Sequence, residues 1–265
     1  VIAGGAISSA AMTRTLLLIA LMMLPLLGCE GNALYDAELQ DSPEGYETFL
    51  AKYPDSAEAA RIRTRIDELR FTRAKVAKSS QSMRDYLGHH PDGAFVDEAR
   101  KLEDEIAYRE SAHDHTPEAY VLYLDSHPDG AFVGEARFSH DQLTYLPKIA
   151  IGELLVEPIN MARDPKGPLN GWEIHSDVTN GGDRPLRTVE VAIDYLSPNG
   201  NAVKSDKWWA VAPDLGGFPT PPEMKPILQP GDSRTFQWTT AEVPDGASAA
   251  SFGLRITKVT FKKDD

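Results

Sequence analysis

A period of 37 residues between residues 42 and 147 constrains this chain more than any other feature. Tyr53-Pro54-Asp55, His90-Pro91-Asp92 and His127-Pro128-Asp129 are spaced by 37 residues twice, and the register holds on both sides without a gap. Ser42, Ser79 and Thr116 align as helix N-caps. Pro43 and Pro117 follow two of them at the first helical position, where a missing N–H costs nothing. Tyr46/Met83/Tyr120, Phe49/Tyr86/Tyr123 and Leu50/Leu87/Leu124, together with position 53/90/127, form the i, i+3, i+4, i+7 stripe of an amphipathic helix. The proline after each stripe ends that helix, because the residue before proline is pushed out of the α region. Asp-Ser or Asp-Gly then turns the chain, and glycine in two of three copies fits a connection in which a side chain would obstruct the turn. A second helix starts near Ala57, Ala94 and Ala131, with Ile62/Ala99/Ala136 and Leu69/Ile106/Leu143 on its buried side. Such self-similarity predicts a solenoid of three helical hairpins, each burying its apolar face on a neighbour.

The repeat pattern, aromatic or Met at 46/83/120 through (Tyr/His)-Pro-Asp-(Ser/Gly), resembles the tetratricopeptide-like repeats of periplasmic lipoproteins over roughly Ser42–Pro147. That resemblance implies an interaction scaffold rather than one particular job. Two charge features bear on it. Arg61, Arg63, Arg65, Arg70, Arg73, Lys75 and Lys78 load the second helix of repeat one with base, while Asp97, Glu98, Glu103, Asp104 and Glu105 load its counterpart with acid. Either adjacent hairpins pair these faces across the stack, each exposed pair contributing little, or the basic strip receives an acidic partner segment. On the second reading Arg61, Arg65 and Arg73 are the contact residues. Six histidines lie in the repeats, and His113-Asp114-His115 has the look of a metal pair. His90 and His127, however, take the slot of Tyr53, which makes them packing variants. No HExxH motif, Gly-x-Ser-x-Gly elbow or P-loop is present, so neither a metal, a cofactor nor an enzyme is expected.

The front of the chain carries a different signal. Arg14, the apolar run Leu16–Leu27 and the small Gly28 have the order of a secretory signal peptide. A run of about twelve apolar residues is too short for a comfortable membrane span of roughly 20. Val1–Ala11 lies upstream of a start at Met12 and reads as an extension. Cys29 is the single cysteine, which excludes a disulfide within one chain. Leu26-Leu27-Gly28-Cys29 resembles a bacterial lipobox, and the alternative is a leftover cysteine in a plain signal peptide. The lipobox resemblance implies cleavage before Cys29 and acylation of it, two or more chains making a stable anchor. Residues 29–41 are then a tether. Glu30 after the cysteine, by resemblance to lipoprotein sorting in Gram-negative bacteria, favours the outer membrane.

Net charge is −13, and the acidity sits in the first half: Glu30–Pro147 carries 13 basic against 24 acidic residues, Lys148–Asp265 13 against 16. Such a field disfavours nucleic acid and anionic headgroups as partners.

After Pro147 the texture changes. Ile149–Glu157, Trp172–Thr179, Leu186–Leu196, Ala202–Val211, Ser233–Thr240 and Ser251–Lys262 are strand-like, with turn residues at Asn180–Asp183, Pro198–Gly200 and Pro230–Asp232. Six or seven short strands in residues 148–265 predict an immunoglobulin-like antiparallel β-sandwich. Asp177-Val-Thr-Asn-Gly-Gly-Asp183, Val189-Glu-Val191, Asp194-Tyr195 and Leu228-x-Pro-Gly-Asp232 with Phe236 resemble the FxLYD family of extracytoplasmic sandwiches, which implies an accessory module. Trp208-Trp209 followed by the proline-rich stretch Ala210–Pro230 stands apart. In a strand the two indoles face opposite sides. Either the loop buries the outward one, or Trp208, Trp209 and Phe218 form a contact surface. The sequence as a whole reads as a multidomain chain of α and β parts: signal peptide 1–28, tether 29–41, repeats 42–147 and sandwich 148–265. Its expected role is a non-enzymatic, lipid-anchored adaptor, held to the membrane through Cys29 and partnered by another envelope protein. The alternative is an extracytoplasmic ligand- or glycan-binding sensor using the β region.

Overall fold

The computed structural model describes residues 29–162, 166–215, 217, 219–241 and 249–262. The expected signal peptide and the expected contact residue Phe218 lie outside the described residues. Helices come first: α1 (residues 29–40), α2 (Pro43–Lys52), α3 (Ala59–Ala77), α4 (Ser80–His89), α5 (Val96–Asp114), α6 (Pro117–Ser126) and α7 (Val133–Tyr145). The strands follow: β1 (Ile149–Ile151), β2 (Leu155–Ile159), β3 (Gly171–Asn180), β4 (Leu186–Leu196), β5 (Ala202–Val211), β6 (Ser233–Thr240) and β7 (Phe252–Phe261). The protein is thus a mixed α and β chain with two antiparallel sheets. Among the described residues no helix is long and apolar enough to cross a membrane.

The three expected caps are made. Ser42, Ser79 and Thr116 accept hydrogen bonds from the backbone N–H of Gly45, Ser82 and Ala119. The residue before each cap, Asp41, Lys78 and His115, is left-handed, with φ of 40°, 52° and 49°. That conformation is uncommon for a residue with a Cβ, and here it recurs with the repeat, reversing the chain between one helix and the next.

Residues 29–40 correct the expected tether. They are helical, and Ala37 is buried against Tyr46, Phe49, Ile62 and Ile66 with Ala33 and Leu34 alongside. Ala33, Leu34 and Ala37 fall on one face of a helix. Ala37 also stands one period before Ala74, and both are buried. The segment therefore takes the place that the second helix of a preceding hairpin would take.

The chain divides into two compact units. The first runs to Glu110 and includes Gly130–Phe132; the second takes Ser111–Asp129 and Val133 onward. The division expected at Pro147/Lys148 is therefore displaced, and the third hairpin belongs with the sheets.

In the first unit two repeat positions join successive hairpins. Asp67 of α3 accepts from the Tyr86 hydroxyl at 2.7 Å and from the Ala94 N–H at 2.8 Å. One period on, Asp104 accepts from the Ala131 N–H at 2.8 Å. Phe71 stacks on Phe95 at 4.7 Å between centroids, and one period on Tyr108 stacks on Phe132 at 4.7 Å. In the second unit the next members of both series turn to the sheets. Asp141 of α7 pairs with Arg184 at 2.9 Å, and Tyr145 meets Phe261 of β7 edge-on at 5.1 Å. Residues of the β region thus take the contacts that a fourth hairpin would have made.

The four-stranded sheet is centred on β3, with β1 and β2 paired to successive stretches of it and β6 along its whole length. The three-stranded sheet has the order β5-β4-β7. Ile174, Val178 and Phe236 from one sheet and Val189, Val191, Ile193, Tyr195 and Phe252 from the other form one buried cluster, which Tyr145 joins. The outer side of β4 is also covered. Asp194 is buried, held by Ser205 of β5 and by Arg255 of β7, whose Nε lies 2.8 Å away. Burial works to raise the pKa of this carboxyl, and the hydrogen bonds from Ser205 and Arg255 outweigh it, leaving the pKa below the ordinary 3.8. A carboxyl whose pKa is depressed on folding stabilises the fold above its unfolded pKa and loses that contribution as pH falls through the folded value. The second unit should therefore lose urea resistance below about pH 4, and Asp194→Asn should flatten that acid limb; an unchanged limb would count against the role of this carboxylate.

Candidate functional site

Two grooves, one in each unit, collect the side chains with chemical potential. In the first unit a groove of about 400 Å³ lies among α2, α3 and α4, lined by Glu44, Arg73, Ala74, Ser82, Tyr86 and His90 among others. His90 caps the C-terminus of α4 and stacks on Tyr86, with ring centroids 5.2 Å apart. Its Nδ1 lies 3.2 Å from the Asp67 carboxylate. A carboxylate can only accept, so Nδ1 carries the proton and Nε2 is left with a lone pair. Burial pushes the His90 pKa down, with the Asp67 charge working the other way, so the ring is neutral at pH 7. Nε2 is buried and has no hydrogen-bond partner among the described residues. An unpaired buried acceptor is costly. Desolvation, with the Asp67 hydrogen bond next, also raises the Tyr86 pKa, so that hydroxyl stays protonated and donates.

The arginines expected to meet a partner are already paired inside the first unit. Arg61 bonds Glu38 at 2.6 Å and Glu58 at 2.7 Å, Arg65 bonds Asp41 at 2.6 Å and Glu68 at 2.8 Å, and Arg73 bonds Glu44 at 2.8 Å. Arg70 pairs with Glu47. The Arg73 guanidinium holds the Glu44 carboxyl at about 2, and Arg65 likewise lowers Asp41. Glu38, Asp41, Glu44 and Glu47 come from α1, α2 and the turn between them, and Glu58 and Glu68 from the start and body of α3, rather than from the acidic run Asp97–Glu105; of the strip, Lys75 reaches that run, bonding Glu98 at 2.9 Å. The cause is α1, which sets Glu38 and Asp41 beside α3. Arg61, Arg65, Arg70, Arg73 and Lys75 of the basic strip are thus paired within the first unit.

In the second unit a groove of about 530 Å³ runs between β5 and β6, the outer strands of the two sheets. Trp208 lies across from Val191 and packs on the core, 5.6 Å from Trp238 at a 47° tilt. Trp209 lies across from Glu190, on the other side of its sheet. Both tryptophans are half-buried and both line the groove, which wraps around the β5 edge. The proline-rich segment is pinned rather than loose. The Ala212 N–H bonds the Met224 carbonyl at 2.9 Å, Leu228 is buried against Leu186, and Arg234 donates to the carbonyls of Glu223 and Pro226.

Among the described residues no group of three or more His, Cys, Asp and Glu could hold a metal ion. His113 lies within α5, not in a loop, and His115 Nδ1 sits 3.0 Å from the Tyr120 hydroxyl. Cys29 is exposed at the first described residue of α1. The Asp67 network was missed in the sequence, although its signal was there: Asp67, Asp104 and Asp141 recur at 37 residues.

No protein-family model and no curated protein matches the chain. Among solved structures it is similar to the Northeast Structural Genomics Consortium target SoR45, at 13% identity and a TM-score of 0.22, over 43% of this chain and 86% of that one. It is also similar to the alkylpurine DNA glycosylase AlkC of Pseudomonas fluorescens, bound to DNA containing an abasic site analogue. That likeness has 14% identity and a TM-score of 0.23, over 80% of this chain and 47% of that one. Neither likeness, at these scores, carries an argument about function. The expectation of a chain that is not an enzyme is withdrawn, and no activity is assigned in its place.

Proposed function

We propose that this chain is a lipid-anchored envelope protein that works as a protein–protein interaction adaptor. In this reading Cys29 carries the acyl chains, with the outer membrane as the favoured site. Three tetratricopeptide-like hairpins form a solenoid, and an FxLYD-like, immunoglobulin-like β-sandwich closes the chain. The repetition of caps, left-handed residues and inter-hairpin Asp contacts at one period supports the repeat architecture. The shared core of the two sheets supports the sandwich. The observation that carries the adaptor role is the groove beside α2 and α4, which Glu44, Arg73, Ser82, Asp85, His89 and His90 line together. A partner segment laid there would meet the His90 ring together with the exposed side chains of Asp85 and His89. With Arg61, Arg65 and Arg73 already paired, recognition rests on that lining rather than on a free basic strip.

The test is crosslinking in the native membrane followed by mass spectrometry, comparing wild type, Cys29→Ser and His90→Phe. Phenylalanine keeps an aromatic ring beside Tyr86, as Tyr53 lies beside Phe49 at a 39° tilt in the first hairpin, and removes the polar ring from the groove lining. Wild type should capture one envelope protein in quantity, His90→Phe should lose it while remaining folded and membrane-bound, and Cys29→Ser should lose the membrane. Capture of nothing above background by a membrane-bound wild type would remove the adaptor reading.

A further inference from the structure

The open groove of the second unit has a chemistry of its own, independent of the repeats and of Cys29. Its floor is aromatic: Trp208 and Trp238 are packed on the core from behind and half-buried in front. Its rim is polar, and one part of that rim is backbone. Along β3 and at the residue after it, Asp177 and Gly181 turn their backbone groups to Gly152 and Lys148, whereas Asn180 bonds Asp232 just before β6. Alternation along an antiparallel ladder then turns the N–H and C=O of Thr235, Gln237 and Thr239 away from β3. Among the described residues β6 pairs with β3 alone, so these groups edge the groove.

The charges select the ligand. The one cation among the described lining residues, Arg234, donates to the carbonyls of Glu223 and Pro226. Glu173 is bonded by the Gln237 amide and lies 3.2 Å from His175. An anion would meet Glu173 and Glu223, and the one guanidinium beside them has its Nη1 turned to backbone carbonyls. A neutral molecule with one apolar face and a rim of hydroxyls meets indole faces below, and carboxylate, amide and backbone acceptors at the side. The volume of about 530 Å³ is within the ordinary range for small-ligand sites. We infer that this groove binds a neutral saccharide, a short chain of pyranose rings lying along the β5 and β6 edges.

The test uses the full chain in detergent, with the tetramer of N-acetylglucosamine as probe and tryptophan emission and calorimetry as readouts. Saturable quenching with measurable heat is expected below about 10 mM, a weak-binding range. Gln237→Ala, at an exposed side chain, should weaken binding about three- to tenfold, the loss of one or two hydrogen bonds. Trp208→Leu should abolish it, and if that variant does not fold, Gln237→Ala decides. Absence of saturable quenching by this tetramer or by a cellulose tetramer, with the protein folded by circular dichroism, overturns the inference. So does binding that Gln237→Ala leaves unchanged, or quenching by an extended peptide alone, which would assign the β6 edge to strand addition.

Discussion

Tyr145→Ala should destabilise the second unit by about 3–5 kcal/mol, as deletion of a buried aromatic ring does. Three kinds of contact converge on this side chain at the end of α7. Its hydroxyl lies 3.0 Å from both Asn180 Oδ1 and the Arg184 carbonyl and accepts from the Arg184 N–H at 2.9 Å. Its ring meets Phe261 edge-on. Gly182 packs so close that an added Cβ would overlap the Tyr145 hydroxyl and ring carbon. Tyr145→Phe keeps the ring and should cost about 1 kcal/mol, because it leaves the Arg184 N–H without its acceptor in a partly buried site. Gly182→Ala should be damaging for a separate reason, overpacking against a ring that cannot move away, at about 1–3 kcal/mol. All four tryptophans, Trp172, Trp208, Trp209 and Trp238, lie in this unit, so urea unfolding followed by their emission reports on it directly. A Tyr145→Ala transition within about 1 kcal/mol of wild type would show that hairpin and sheets are independent after all.

The second large effect belongs to the first unit. Asp67→Ala should cost about 2–3 kcal/mol, because it leaves the Tyr86 hydroxyl and the Ala94 N–H without their acceptor. Asn at this position can accept from one of the two donors and should recover part of the loss. The same carboxylate explains the glycine in the turn. Gly93 does not need a positive φ; a Cβ there would meet Asp67 Oδ1 at 2.6 Å and the Tyr86 hydroxyl at 2.7 Å. The first hairpin has Phe49 in place of Tyr86 and carries Ser56 in the glycine slot. Gly93→Ser therefore copies a residue the repeat itself uses, yet should cost about 1–3 kcal/mol in this context. In an Asp67→Ala background the same substitution should cost clearly less, since the two residues are in contact and their effects are not additive. The first unit holds no tryptophan, so the measurement is helical circular dichroism. Equal costs of Gly93→Ser in both backgrounds would place the steric conflict elsewhere.

Both grooves contain residues whose importance depends on neighbours that no spacing rule reveals. His90 was visible as a variant of Tyr53, but its unpaired Nε2 follows from Asp67 lying on the preceding helix. Trp208 and Trp209 were singled out together; that both line one groove follows from β5 being an outer strand with Trp238 of β6 across the opening. Arg61, Arg65 and Arg73 stood out as a strip that either pairs across the stack or meets a partner; that Glu38 of α1 and Asp41 just after it pair with two of them follows from residues 29–40 being a helix beside α3.

The periodic features of this protein were legible along the chain. Helix caps, proline stops, the apolar stripe and the alternation of Val189, Val191, Ile193 and Tyr195 are local, and local rules of backbone sterics and side-chain period suffice to place them. What only the folded chain decided is pairing: which acid each arginine meets, which acceptor Ala94 finds, and that the sheets, not a fourth hairpin, receive Asp141 and Tyr145. Such contacts join residues up to more than a hundred positions apart, as between Tyr145 and Phe261. The physical reason is that side-chain periodicity specifies which face of an element is buried but carries no record of what it is buried against.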